Sequence, residues 1–311
     1  LNSLTKTPVS YWARYVWLLH KYGSFKKSVN LLRALCHWFR GSATIATMPA
    51  FLKVEISRHC SVNCKYCYGK REKLFYPLAL YQELIDRLKG HVFLVSLYDI
   101  GEPLENEGVI EYIKYAHERG VGTVISSSLS VTRTDEFWEE LVLSGIDRII
   151  VAIDGTSEEV YREYRTNGNL KLVLSNLERI LHYRSVHAKS LVVEWQMIDL
   201  PWNKKEQETA RKMARDMGCD KFRLIAEATR PRLDHRYRHH VRTRNCLLPY
   251  IVFIVTAYNK VRPCYKNYNE PMDFGDLDSQ TFDELWNCDG IAEIRDRQRI
   301  GQRVGCQTCR E

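Results

Sequence analysis

Phe51-Leu52-Lys53-Val54-Glu55-Ile56-Ser57 runs without a break into Arg58-His59-Cys60-Ser61-Val62-Asn63-Cys64-Lys65-Tyr66-Cys67. The first seven residues alternate apolar and polar side chains, the period of a strand with one buried face. The next ten place Cys60, Cys64 and Cys67 at CxxxCxxC spacing, three thiols in one short loop with no fourth nearby. Structural zinc sites close on four ligands and a self-sufficient iron–sulfur cluster takes four cysteines, so three leave a coordination position for another molecule. The plain alternative is a zinc knuckle or a chance spacing.

Outward from the loop, helical spacing over residues 78–88 and an apolar run over 91–98 complete a strand, loop, helix, strand unit. Predicted helices follow at about 109–119, 135–144, 170–184 and 204–217, interleaved with strands at about 121–127, 147–153, 190–197 and 221–225. Six strands alternating with helices predict an α/β fold with a parallel sheet wound through right-handed crossovers. The second strand ends in Asp99-Ile100-Gly101-Glu102-Pro103 and the fourth in Ala152-Ile153-Asp154-Gly155.

CxxxCxxC with Tyr66 just before its last cysteine, followed one βα unit later by Gly101-Glu102-Pro103, resembles the radical SAM superfamily, with Ile100 in place of the first Gly of that family's Gly-Gly-Glu-Pro motif. The resemblance implies a partial (β/α)6 barrel with its reaction chamber at the C-terminal strand ends. It implies that Cys60, Cys64 and Cys67 hold a 4Fe-4S cluster whose unique iron chelates S-adenosylmethionine. One electron from an external reductant such as flavodoxin or ferredoxin would then release methionine and a 5′-deoxyadenosyl radical. The protein's share of such chemistry is to position the substrate and exclude competing reactions. Tyr66, Gly101, Glu102 and Pro103 are implied cofactor contacts. Asp154-Gly155 with Arg165 resembles the family's Ser-Ile-Asp-Gly and later Arg. Because Ala152 replaces that Ser, Asp154 and Arg165 remain as cofactor candidates. Ser127, with Ser126 and Ser128 at the third strand end, is either a further contact or a turn cap.

The tail carries Cys246, Cys264, Cys306 and Cys309 as C-x17-C-x41-C-x2-C. Residues 249–256 read as one strand, 259–263 as its hairpin return, and Thr281-Phe282-Asp283-Glu284-Leu285-Trp286-Asn287 as a helix start. This stretch resembles the SPASM and twitch domains of radical SAM enzymes, and four cysteines imply one auxiliary 4Fe-4S cluster, in the layout of the 2-deoxy-scyllo-inosamine dehydrogenases. Full ligation by protein would make it an electron acceptor, tuned by charge, hydrogen bonds and burial. A structural zinc site is the alternative. The expected organisation is a helical extension over 1–49, a barrel over 50–228, a basic linker over 229–245 and the auxiliary domain over 246–311.

Ten cysteines in all leave Cys36, Cys219 and Cys288 unassigned. They read as small apolar residues, with Cys288 the better placed as a hydrogen-atom donor for an epimerisation. No run of 18 apolar residues and no signal-like start occur in the 311 residues, so the expectation is a soluble, cytoplasmic protein with reduced thiols. The net charge of +8 concentrates in residues 230–244, with six arginines, three histidines and Asp234 as the one acid. Such a run binds a phosphate or carboxylate ligand or is a solvated linker; nucleic acid is disfavoured.

Tyr11, Trp12, Tyr15, Leu18, Leu19 and Tyr22 recur at helical spacing, as do Val29, Leu32, Leu35, Cys36 and Phe39. Two amphipathic helices packed on the barrel are expected, with docking to a membrane surface or to a partner as the alternative. The favoured activity is hydrogen abstraction from a small polar substrate (a sugar, cyclitol or aminoglycoside-like compound) ending in dehydrogenation or epimerisation. Tyr98 and Asp99 are candidate catalytic groups, with Glu102, Gln196 and Glu227 as other anchors. Maturation of a short ribosomal peptide and a non-catalytic zinc-binding module are the alternatives.

Overall fold

The computed structural model describes residues 16–67, 72–187, 189–226, 246–262, 264 and 273–299. Two helices, α1 (Val16–Lys21) and α2 (Phe25–Arg40), precede β1 (Phe51–Val54). Then come α3 (Leu78–Leu88), β2 (Leu94–Ser96), α4 (Val109–Glu118), β3 (Gly122–Ser127), α5 (Asp135–Leu143) and β4 (Arg148–Ala152). These are followed by α6 (Glu158–Tyr164), α7 (Leu170–Val186), β5 (Val192–Asp199), α8 (Gln207–Met217) and β6 (Lys221–Ala226). The tail contributes α9 (Leu248–Ile251), β7 (Val252–Val255), β8 (Val261–Arg262), α10 (Phe282–Trp286) and α11 (Asp289–Arg299).

The eight strands form one sheet in the order β6-β5-β4-β3-β2-β1-β7-β8, parallel except for the β7–β8 hairpin. Consecutive strands are neighbours from β1 to β6, the simplest outcome of repeated right-handed βα units. The expected α/β class with a partial (β/α)6 barrel, helical extension and C-terminal hairpin-plus-helix region is what the chain forms. Short polar side chains start the helices by accepting backbone N–H bonds: Thr134 for α5, Ser157 for α6, Asn169 for α7, and Thr281 with Glu284 as a capping box for α10.

Three expectations are corrected. All four residues of β1 are buried, so the alternation of residues 51–57 does not mark one wet face. Leu52 and Val54 pack in the core, while Lys53 is buried in an ion pair with Asp99 and Glu55 in one with Arg58. The strand expected over 249–256 begins as α9, because Pro249 sits in the first helical turn, where its missing N–H costs nothing. The β7–β8 hairpin does not stand apart from the barrel: β7 pairs in parallel with β1 and extends the same sheet.

The second N-terminal helix is also turned around. Its buried residues are Lys27, Asn30 and Ala34, and Val29, Leu32, Cys36 and Phe39 are exposed. Lys27 Nζ donates to Gly120 O at 2.7 Å, and Asn30 bonds both backbone groups of Met48 at 2.8 and 3.0 Å. From α1, Lys21 and Tyr22 both bond Asp147, at 2.7 and 3.0 Å. Gly120, Met48 and Asp147 precede β3, β1 and β4, so α1 and α2 cap the N-terminal end of the strands.

Candidate functional site

The opposite, C-terminal end of the strands receives the cysteine loop from β1 and the Gly101-Glu102-Pro103 turn from β2. Glu102 N donates to His59 O at 2.8 Å. A Cβ at Gly101 would lie 2.1 Å from Ser57 O and 2.7 Å from Arg58 C, so the turn and the loop touch backbone to backbone and only glycine fits. Pro103 opens a 3-10 turn over Pro103–Glu105, capped by the Glu102 carboxylate. Glu102 is buried and accepts from Ser128 N and Ser128 Oγ, each at 2.7 Å, and from Leu104 N at 3.2 Å. Burial raises its pKa and these donors oppose the rise. Ser127 Oγ accepts from Leu129 N at 2.8 Å, holding a bend in which Leu129 adopts φ 53°.

Residues 63–65 of the loop pair with residues 164–166. Lys65 N donates to Tyr164 O at 2.8 Å, Thr166 N to Asn63 O at 3.1 Å, and Cys64 and Arg165 form a β-bridge. Arg165 is buried; its Nε and Nη2 both reach Asp154 Oδ2 at 2.7 Å, and its Nη1 lies 3.6 Å from Cys64 Sγ. Burial opposes the guanidinium charge, but Asp154 and Cys64 outweigh it and raise its pKa. Asp154, fully buried, also accepts from Ile198 N at 2.7 Å. Tyr66 lies between Tyr164 and Trp202, with ring centroids 6.1 and 6.4 Å away. The Cys60 thiol is pushed up to about 12 by burial and the neighbouring Glu102 charge. Cys64 is half-buried and Cys67 exposed.

The chamber side of the sheet follows from the register. Lys53 aligns with Ser96, Ser96 with Val124 and Val124 with Arg148, while Ala152 aligns with Gln196 and Gln196 with Arg223. Arg148 and Glu194, fully buried, pair at 3.3 Å, and Arg223 reaches Glu194 at 2.5 Å and also bonds Gln196. Toward β8, Lys53 pairs with Asp99 at 2.9 Å and lies over the Tyr98 ring at 4.8 Å. Arg262 lies 3.9 Å from Asp99 and 3.0 Å from Asp273. Arg148, Glu194, Arg223 and Arg262 were not singled out from sequence; the available signal was charge at inward positions of otherwise apolar strands.

The tail touches the loop through Glu55, which accepts from Arg58 at 3.1 Å and from Ala257 N, in the β7–β8 turn, at 3.1 Å. Cys246 precedes α9 and Cys264 follows β8. Because β8 runs back along β7, both half-buried cysteines lie toward the same end of the hairpin. Cys306, Cys309, Glu227 and the basic run 230–244 lie outside the described residues. Cys288 is not brought to the chamber mouth. It adjoins Asn287, which bonds both backbone groups of Ile45, and Trp286, which donates to Thr47 O; both of those precede β1, at the N-terminal strand ends.

Several features at the loop fit a bound cluster and its nucleoside ligand. His59 Nδ1, Tyr161 Oη and Trp202 Nε1 are buried with no hydrogen-bond partner among the described residues. Among the described residues no three His, Cys, Asp or Glu side chains converge on a single-ion site.

Comparison with known proteins finds two family matches along the chain. Residues 54–193 match the Radical SAM superfamily and residues 246–310 match SPASM, an iron–sulfur cluster-binding domain. Together these domains imply S-adenosylmethionine and two iron–sulfur clusters as cofactors. A GTP 3′,8-cyclase of Limosilactobacillus fermentum is 23% identical over 160 residues, 48% of this chain and 47% of the cyclase. The chain thus spans about half the length of that curated relative. BtrN, solved with AdoMet and 2-DOIA, shares the fold at 17% identity and TM-score 0.52, covering 85% of this chain and 93% of BtrN. SuiB of Streptococcus suis, solved with precursor peptide SuiA, shares it at 11% identity and TM-score 0.60, covering 92% and 79%.

Proposed function

We propose that this chain, which belongs to the radical SAM superfamily and carries a C-terminal SPASM iron–sulfur domain, removes a hydrogen atom from a small polar substrate and completes a dehydrogenation or epimerisation. The observation that carries the reading is the chamber face of the sheet. Lys53, Arg223 and Arg262 lie on it with Asp99, Gln196 and, at the rim, Asp273, over a fully buried Arg148–Glu194 pair, a set of charges that suits hydroxyl, phosphate or carboxylate groups far better than apolar side chains.

In this reading Cys60, Cys64 and Cys67 hold the SAM cluster, and Cys246, Cys264, Cys306 and Cys309 hold the auxiliary one. When bound, and given S-adenosylmethionine and one electron from an external reductant such as flavodoxin or ferredoxin, the first cluster would supply a 5′-deoxyadenosyl radical for hydrogen abstraction, and the second would accept the electron left on the deprotonated substrate radical. Glu102 offers its buried carboxylate to the methionyl ammonium, and Arg165 offers its guanidinium to the carboxylate, with Asp154 holding that guanidinium in place. Gly101 permits the close approach of turn and loop. Tyr66 and Trp202 form the aromatic wall beside them. Asp99, paired with Lys53 at 2.9 Å, is the group that accepts the proton leaving a carbinol as it becomes a ketone in this reading.

Anaerobic reconstitution, iron counting and a screen for 5′-deoxyadenosine across sugars, cyclitols, aminoglycosides and short peptides test the proposal. The expected result is about eight irons per chain and turnover stimulated by a polyhydroxylated small molecule with stoichiometric ketone or epimer. Turnover of peptides alone would transfer the reading to peptide maturation, and about four irons would remove the auxiliary cluster.

A further inference from the structure

At about 100° per residue, Phe25, Val29, Leu32, Cys36 and Phe39 fall on one narrow stripe of α2, and the fully buried Ala34 lies on the opposite side. The stripe faces solvent: Phe25 is 87% exposed, Leu32 62% and Phe39 74%. Among the described residues, four of the seven exposed large hydrophobic side chains belong to this one helix. Isolated exposed apolar residues are ordinary, but a contiguous stripe marks an interaction surface.

The surrounding charge identifies the occupant. Lys26, Arg33 and Arg40 are exposed along one border of the stripe. No Asp or Glu occurs before Glu55, whereas Lys6, Arg14, Lys21, Lys26, Lys27, Arg33 and Arg40 all lie within the first 50 residues. We infer that α2 is an interfacial helix that docks the protein on an anionic lipid bilayer, with its apolar stripe at the acyl boundary and its cationic border among the headgroups. No helix among the described residues is long and apolar enough to cross a membrane, so α2 lies in the surface. A second copy is a poor occupant, because two such stripes would bring cationic borders together with no acid to offset them.

The attachment has a direction. α2 is latched to the N-terminal strand ends through Gly120 and Met48, whereas the cysteine loop leaves β1 at the C-terminal end. A protein docked through α2 therefore keeps its chamber mouth turned away from the lipid and draws its substrate from water.

Co-sedimentation of the full, cluster-loaded chain with vesicles tests this inference. Phosphatidylcholine vesicles containing about 30% phosphatidylglycerol are expected to bind it at low salt, with pure phosphatidylcholine binding far less and added salt weakening the interaction. Phe25→Ser with Leu32→Ser and Phe39→Ser abolishes the binding. Lys26→Gln with Arg33→Gln and Arg40→Gln weakens it on the order of a hundredfold. All six positions are exposed, so both variants keep the parent's thermal melt and 5′-deoxyadenosine formation. Equal binding to neutral and anionic vesicles, no binding to either, or unchanged binding by the triple Ser variant overturns the proposal. So does a dimer in sedimentation that the triple Ser variant loses, since the stripe would then belong to a second copy.

Discussion

The two ends of the strands bury polar groups in different ways. At the N-terminal end, Lys27, Asn30, Lys21 and Tyr22 each bond a named partner on the barrel, and the result is an anchor. At the C-terminal end, His59 Nδ1, Tyr161 Oη and Trp202 Nε1 lack such partners around three thiols and a buried carboxylate. Thr47 Oγ1, His91 Nδ1 and Thr123 Oγ1, toward the N-terminal end, also lack partners among the described residues, so the difference lies in what surrounds the unpaired groups: thiols and a buried carboxylate at one end, an anchoring pair of helices at the other. The contrast predicts that damage at the mouth removes chemistry and damage at the anchor changes stability alone.

Replacing Cys60, Cys64 and Cys67 with Ala is expected to produce the largest effect. 5′-Deoxyadenosine formation falls to background and iron content drops by about four per chain, read by colorimetric iron assay and chromatography. Next, Cys306→Ala with Cys309→Ala spares cofactor cleavage and abolishes net substrate oxidation. Normal oxidation by that variant would remove the electron-acceptor role. Gly101→Ala forces its Cβ to within 2.1 Å of Ser57 O, so turn and loop must separate. Cofactor cleavage should fall roughly a hundredfold, with both clusters still loaded. Arg165→Lys keeps the charge but loses the forked contact with Asp154. Its KM for S-adenosylmethionine should rise roughly tenfold in steady-state assays.

The smallest effect on activity is expected at the anchor. Burial lowers the Lys27 pKa to about 8 from 10.5. Below about pH 8 the ammonium is charged folded and unfolded, and its desolvation cost is complete. Between about 8 and 10.5 the unfolded chain keeps a proton that the folded chain has released, so stability rises with pH. Relative to Lys27→Met, which loses the bond to Gly120 O and does not titrate, the parent should therefore gain stability as pH rises from about 8 to 10.5. Parallel denaturation curves across that range would show that Lys27 does not titrate in this way, and cofactor cleavage should not change.

Much of this was legible in the chain. The helix predicted over 78–88 is α3 to the residue, because periodicity and composition agree over a long segment. Every barrel strand falls within its predicted span to within a residue or two, since each strand is bounded by turn residues. Hydrophobic pattern misled at α2, where the apolar stripe was expected to pack inward. A helix pattern specifies which residues share a face, and it does not say which face meets the body. Ala34 at the centre of the packed side allows close approach, and Lys27 and Asn30 there find backbone partners that local sequence does not reveal. The alternation in β1 was likewise real, but its polar side is buried in ion pairs instead of facing solvent.

By itself the sequence determined the spacing of three thiols, the Gly101-Glu102-Pro103 turn one unit later, and the order of strands and helices, because local chemistry and short-range periodicity decide these. Tertiary structure alone decided that Arg165 lies against Cys64, that Arg148, Glu194 and Arg223 meet on one inner face, and that the tail hairpin completes the sheet beside β1. Those contacts join residues up to about two hundred positions apart, and long-range pairing depends on how strands register and helices dock, which no local window contains.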